Sequence, residues 1–288
     1  MKNLVNFFFK KKDVVLDCFT FVPHAYDYAK IDSALNHLPD WFKKTPKIGK
    51  DENGNDEPKN ATIKSCVGLI DLYKKGIVIP SWFEIDIKIN PNSNKEETAF
   101  TWEASNSFLS TSNSHNPRQF LGFAKEHGGN LKISTPWAFR TKEEIFFTWT
   151  QPTWHYRDFL GSLTNMPAVV EFKYNHGTEI NYFYENKEHT QEINIPPLTP
   201  LVMLHPMTER NVIIKNHLVP KEEFDRLHGS HNFLFQRNGK DSIKFYQTKR
   251  RLVDRVEEQN NENQSKCPFS SSTSVANKFI SKDRRNIK

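Results

Sequence analysis

Cysteine is scarce in this chain: three residues, Cys18, Cys66 and Cys267, lie far apart and are odd in number. That excludes a disulfide framework and a thiolate metal site, and it points to a reducing compartment such as cytoplasm. Long apolar runs are missing too. The stretch Leu4 to Phe9 falls far short of the roughly 20 residues that cross a bilayer. It is followed by Lys10 to Lys12 and Asp13 instead of a small-residue cleavage site, so neither a membrane span nor a signal peptide is expected. No Gly-x-Ser-x-Gly elbow is present, and Gly128-Gly129 is not followed by Lys-Ser or Lys-Thr. Serine-nucleophile and phosphate-cradle chemistry are thereby set aside. A dominant charge is also absent: 40 basic residues face 34 acidic ones, with the excess gathered near the ends at Lys10 to Lys12, Lys249 to Arg251 and Lys282 to Lys288. A nucleic-acid partner is not required by this balance.

What is there is a β pattern with a few helices. Between Cys66 and Lys75, Val67, Leu69, Ile70 and Tyr73 recur at helical spacing, and Gly76 is expected to end the helix as a left-handed cap. After Pro80 the period becomes two: Phe83, Ile85, Ile87 and Ile89 on one side, Glu84, Asp86 and Lys88 on the other. Thr98 to Ala104 reads as its hairpin partner. Earlier, Leu4 to Phe9 and Val14 to Val22 read as a strand pair closed by Pro23, and Leu35, Leu38, Trp41 and Phe42 form an apolar cluster. Residues 43–60 are polar and punctuated by Gly and Pro, the pattern of a surface loop.

Further on, short strands are expected at Leu131 to Ile133, Ala138 to Arg140, Ile145 to Thr150, Ala168 to Tyr174, Glu179 to Tyr184, Gln191 to Ile195 and Leu201 to His205. A short helix is expected over Arg118 to His127. Asn175-His176-Gly177 is expected to turn a hairpin between Val169 to Tyr174 and Ile180 to Tyr184. The prolines at 196, 197, 200 and 206 exclude a helix around Leu201 to His205 and place that strand in the interior or at an edge. Val212 to Ile214 adds a strand, and Pro220 followed by Lys221-Glu222-Glu223-Phe224, with acids in the first turn, starts a helix. The fold expected is mainly β, a jelly-roll or cupin-like antiparallel sandwich or barrel with a few peripheral helices, in a single domain over residues 1–257. Residues 258–288 are expected to be disordered, or ordered on a partner.

Three runs carry a family resemblance: Thr62 to Asp86, Thr135 to Arg140 (TPWAFR) and Leu198 to Arg210 (LTPLVMLHPMTER). A Lys-x-Cys helix coupled to an Ile-Pro-x-Trp strand, then a Pro-Trp strand, then a Thr-Pro-Leu strand before a Pro and a basic residue, resembles a domain-of-unknown-function family common in marine tailed phages and some bacteria. The resemblance covers residues 38–210. Where relatives carry Pro-Gly-Tyr after the Trp strand, Lys142-Glu143-Glu144 stand here, so a function of that loop does not carry over. A viral setting and a β-rich fold are implied, and no activity.

Two groups of residues could carry chemistry. Trp137, Trp154 and Tyr156 with Arg140 and Arg157 form the candidate binding set, since aromatic and guanidinium planes stack sugars or bases. Core packing explains Trp137 equally well. His155, Asp158 and His205 form the candidate iron set of a cupin-type oxygenase, but a spacing of three does not put His155 and Asp158 on one face of a strand. Cys66 falls on an apolar helical face, where free cysteine acts as a small hydrophobe. The expectation is a non-enzymatic phage accessory or virion-associated protein, with no cofactor and no membrane partner, in host cytoplasm or virion. It would meet other phage proteins through the tail. A metal-dependent oxygenase and a single-stranded nucleic-acid binder are the alternatives.

Overall fold

A computed structural model describes residues 12–50, 53–90, 100–104, 112–113, 129–155, 162–174, 176–185 and 187–226. All belong to the first of the chain's two units, Met1–Asn232. The expected strand at Leu4 to Phe9, the helix at Arg118 to His127 and the tail 258–288 lie outside the described residues.

The run VVLDCFT forms β1 (Val14–Thr20), burying Val14, Leu16, Cys18 and Thr20 while Val15, Asp17 and Phe19 face the other way. Pro23 then opens α1 (Pro23–Tyr28), its fixed φ and missing N–H suited to the first helical position. After β2 (Asp32–Ser33) and α2 (Asp40–Lys44), the expected surface loop is instead a two-stranded hairpin, β3 (Ile48–Lys50) with β4 (Asp56–Ala61). Its sequence is polar, so no hydrophobic alternation announces it. The helix α3 (Val67–Lys75) buries Leu69 and Tyr73 but leaves Val67 at 69% exposure, because only the narrow inner stripe meets the protein.

Two expectations about this helix are corrected. Gly76 is extended, φ −74° and ψ 145°, not left-handed. Glycine is needed for room: a Cβ there would lie 2.7 Å from the Leu72 carbonyl, 2.9 Å from Ala34 Cβ and 3.0 Å from Met203 Cε. Cys66 is exposed at the helix start, not on its apolar face.

Next come β5 (Ile77–Pro80) and β6 (Ile85–Ile89), the first buried at every position and the second alternately buried and exposed. The partner of β6 is β7 (Phe100–Ala104), paired Ile85 to Ala104 through Ile89 to Phe100, as the hairpin reading expects. Short β8 (Ser112–Asn113) pairs with β9 (Gly129–Thr141), one 13-residue strand where two shorter ones were expected. After β10 (Phe146–Thr150), β11 (Leu163–Asn165) and β12 (Ala168–Glu171) come β13 (Gly177–Tyr184), β14 (Gln191–Ile195), β15 (Pro200–Pro206) and β16 (Val212–Leu218). Residues 221–226 are helical, as Pro220 signals.

Pairing gives a β sandwich of open sheets. One follows the order β11-β13-β9-β1-β16 with β8 on β9; the second is β12-β10-β15-β5-β2; a third is β14-β6-β7. No sheet closes into a barrel among the described residues, and the pairing is antiparallel except that β1 and β16 run parallel. The expected hairpin at 175–177 does not form: β12 pairs with β10 in the second sheet, while β13 pairs with β9 and β11 in the first. Phe172, Tyr174 and His176 between them are buried, so this segment crosses through the interior instead of turning at the surface. His176 is pinned there by Phe139, whose N–H donates to its carbonyl and whose carbonyl accepts from its Nδ1 at 2.9 Å.

The main core lies between the first sheet and the other two: Leu16, Ile133, Trp137, Phe139 and Ile180 meet Ile79, Ile87, Trp149, Leu201 and Leu204. Each such fully buried side chain contributes about 1.5–3 kcal/mol of transfer free energy. The second sheet also buries its opposite face. There Val78 and Met203 meet Ala34, Phe42, Leu69 and Tyr73 under a helical layer. A strand sandwiched on both sides is apolar at consecutive positions, which is why IVIP and LVML show no alternation.

Candidate functional site

The helical layer over the second sheet gathers three of the residues singled out from the sequence. His205 stands on β15 on the same side as Met203, opposite Thr148. Its Nε2 donates to the Leu72 carbonyl of α3 at 3.1 Å, which fixes Nδ1 as the acceptor facing the Thr150 hydroxyl at 3.3 Å. Burial lowers the His205 pKa, with the Leu72 hydrogen bond pulling the other way, so the neutral ring is the resting form.

His155 ends the short 3₁₀ turn Thr153–His155 and is buried, its ring edge-on to Tyr73 at 6.3 Å between centroids. Tyr73 is 1% exposed, and burial pushes its phenol up to about 12. Trp154 stands one residue earlier and packs against the same cluster, half-buried. Its carbonyl accepts from Trp41 Nε1 at 2.7 Å, and the two indoles lie 6.2 Å apart at 38°. Trp41 in turn sits edge-on to Phe42 at 5.6 Å. Helix α3 therefore organises the region, contributing Leu72 to His205 and Tyr73 to His155.

The candidate binding set does not come together. Trp137 is 0% exposed in the main core, with its backbone carbonyl accepting from Thr178 Oγ1, so its indole presents no face to a ligand. Trp154 belongs to the other apolar cluster. Arg140 is exposed on β9, facing Asp17 of β1 across the ladder. Tyr156 and Arg157 lie outside the described residues, as does Asp158 of the candidate iron set. Among the described residues no group of three or more His, Cys, Asp or Glu is placed to hold a metal ion.

The sequence reading missed Trp41 and Tyr73 as members of this site. Their signals were present: Trp41 stands three residues after Leu38, and Tyr73 four after Leu69. Nothing in either run points across the chain to Trp154 or His155.

A second polar arrangement lies on the outer face of the first sheet, where His217 Nε2 and Asp17 Oδ1 are 2.8 Å apart and the His217 ring stacks on Phe19 at 4.9 Å. It ties β16 to β1. On the outer face of the third sheet, Asn194 Nδ2 donates to both Glu84 Oε1 at 2.8 Å and Asp86 Oδ1 at 2.7 Å.

No family model matches the chain, and a search of curated proteins finds no match. Among the described residues no helix is long and apolar enough to cross a membrane.

Proposed function

We propose that the chain is a non-enzymatic binding or structural β-sandwich protein, acting as a phage accessory or virion-associated component in the setting its family resemblance implies. The observation that supports this most is the state of His205. Both of its ring nitrogens are engaged by protein oxygens, the Leu72 carbonyl and the Thr150 hydroxyl, so a metal there would have to displace one of them. His155, packed against Tyr73, serves the same apolar layer. These side chains hold a helix onto a sheet.

Its site of action is the host cytoplasm or the particle, with other phage proteins as partners through residues 258–288. Mass spectrometry of purified particles tests this: stoichiometric recovery supports it, and recovery only in the cell lysate restricts the protein to an accessory role outside the virion. The cupin-type oxygenase is the competing reading, with His155, Asp158 and His205 as its ligands. One equivalent of iron in protein purified without chelator, lost in His155→Ala, would establish that reading in its place.

A further inference from the structure

The first sheet ends on β16, which among the described residues is paired on one side only. The ladder to β1 sets which backbone groups the other side carries. Val14 N–H donates to the Asn211 carbonyl and Val219 N–H to the Thr20 carbonyl, so in this parallel pair Ile213, Lys215 and His217 turn their N–H and C=O towards β1. Val212, Ile214, Asn216 and Leu218 turn theirs away. At Asn216 the segment leaving α1 lies against the strand: the Asn216 side chain donates to the Ile31 carbonyl at 2.9 Å and accepts from the Ile31 N–H at 3.1 Å. At Val212 and Ile214 no hydrogen bond joins the outward N–H and C=O groups to another described residue.

Beside this length of edge the first and second sheets part around a cleft of about 180 Å³. Its lining includes Val212 and Ile214 of β16, Pro206 of β15, Ile77 of β5, and Lys74 and Lys75 at the end of α3. Both lysines are exposed, and neither is ion-paired with another described residue. Arg210, which also lines the cleft, is occupied by Glu143, and Glu209 is the one carboxylate among the lining residues. An unpaired strand edge, a cavity on its inner side and two uncommitted cations thus stand together.

We infer that this edge takes an extended, acidic segment of a partner protein as an added β-strand, its backbone pairing with Val212 and Ile214 and its inward side chains entering the cleft, where carboxylates meet Lys74 and Lys75. In this mode main-chain hydrogen bonds supply affinity, while a pocket for alternate side chains supplies selectivity. The four-carbon stem of lysine lets an ammonium group follow a carboxylate held in the cleft. A second copy of the chain fits the edge less well. Each copy carries a net charge of +6, and β16 paired with itself about Lys215 sets two ammonium groups opposite each other. The inference does not rest on particle association, so failure of the virion experiment leaves it standing.

The test uses the full chain and a fluorescein-labelled heptapeptide of alternating Val and Glu, followed by anisotropy. Saturable binding is expected, and none for the same peptide with Lys in place of Glu. Ile214→Pro removes an outward N–H and leaves the ladder to β1 its donors, so it is expected to abolish binding. Lys74→Glu with Lys75→Glu is expected to weaken it roughly tenfold. Lys88→Glu, exposed on β6 in the third sheet, is expected to change nothing. If Ile214→Pro unfolds, two N-methylated peptides decide. Methylating the Val nitrogens in one and the Glu nitrogens in the other should abolish binding in one case and spare it in the other, because only one edge of an added strand faces β16. No binding of the Val-Glu peptide, equal binding of the Lys peptide, indifference to the Lys74 and Lys75 changes, or an equal effect of the two methylations overturns the inference. So does sedimentation that finds a dimer which Ile214→Pro dissociates, since the edge then belongs to a second copy.

Discussion

The phenol of Tyr182 on β13 donates a 2.7 Å hydrogen bond to the backbone carbonyl of Leu201 on β15, joining the first sheet to the second through the core. Leu201 has a carbonyl to offer because the β5–β15 register shifts between Pro200 and Val202 and the β10 ladder begins only at Met203. The bulge and the tyrosine answer each other: one frees a buried acceptor and the other satisfies it. Tyr182→Phe is therefore expected to destabilise the fold by about 1–3 kcal/mol, the cost of an unsatisfied buried carbonyl. Urea unfolding with an unchanged m-value would measure it; unchanged stability would mean the bond contributes nothing net.

Trp137 and Trp82, at 0% and 4% exposure, lie in the main core. Each substituted by Ala should cost about 3–5 kcal/mol. A melting temperature equal to wild type in either variant would contradict the burial described.

Gly76→Ala tests space and not backbone freedom. The backbone there is one any residue adopts, yet a methyl would crowd the Leu72 carbonyl and Ala34. Overpacking of this kind costs about 1–3 kcal/mol. Met203→Ala in the same chain should recover little of it, because the carbonyl, unlike the flexible Met203 tip, does not move away.

Stability should fall as pH drops below about 6.5, the ordinary histidine value. Burial lowers the pKa of His205, and of His37, where Lys43 adds to the lowering and Asp32 opposes it. The unfolded chain then binds protons that the native state resists, so stability is present above the unfolded pKa and lost below it. Thermal melts at several pH values in wild type and His205→Gln check the source. A slope identical in the variant would assign the effect elsewhere.

Much of the fold was legible where burial is one-sided. The alternation of Ile85, Ile87 and Ile89 against Glu84, Asp86 and Lys88 marks β6 and its pairing with β7, because one face meets the core and the other water. Layers buried on both sides leave no such trace. Ile77 to Pro80 gives no alternation, so periodicity did not mark β5, which only the Ile-Pro-x-Trp strand of the family pattern touched, and its neighbour Leu201 to His205 could only be placed as interior or edge. The Asn175-His176-Gly177 signal failed for a related reason: turn residues report local backbone freedom, while the burial of Phe172 and Tyr174 decides which sheet each flanking strand joins. The candidate site was half legible. Trp154, His155 and His205 do meet one layer, but Trp41 and Tyr73 reach them only through tertiary packing that spacing along the chain cannot encode.

Strand β1 lies between β9 and β16, and Asp13 and Asn211, 198 positions apart, hydrogen-bond at its head. On a ribosome adding residues at about 5–20 per second, the first described strand waits on the order of 10–40 s for its parallel partner to emerge. Until then Val14, Leu16 and Cys18 have an open ladder on one side, the template that strands of other nascent chains can join. Synthesis halted before Val212 leaves a product whose opening strand is unpaired at one edge, and the yield of folded protein depends on how well that edge is shielded during translation.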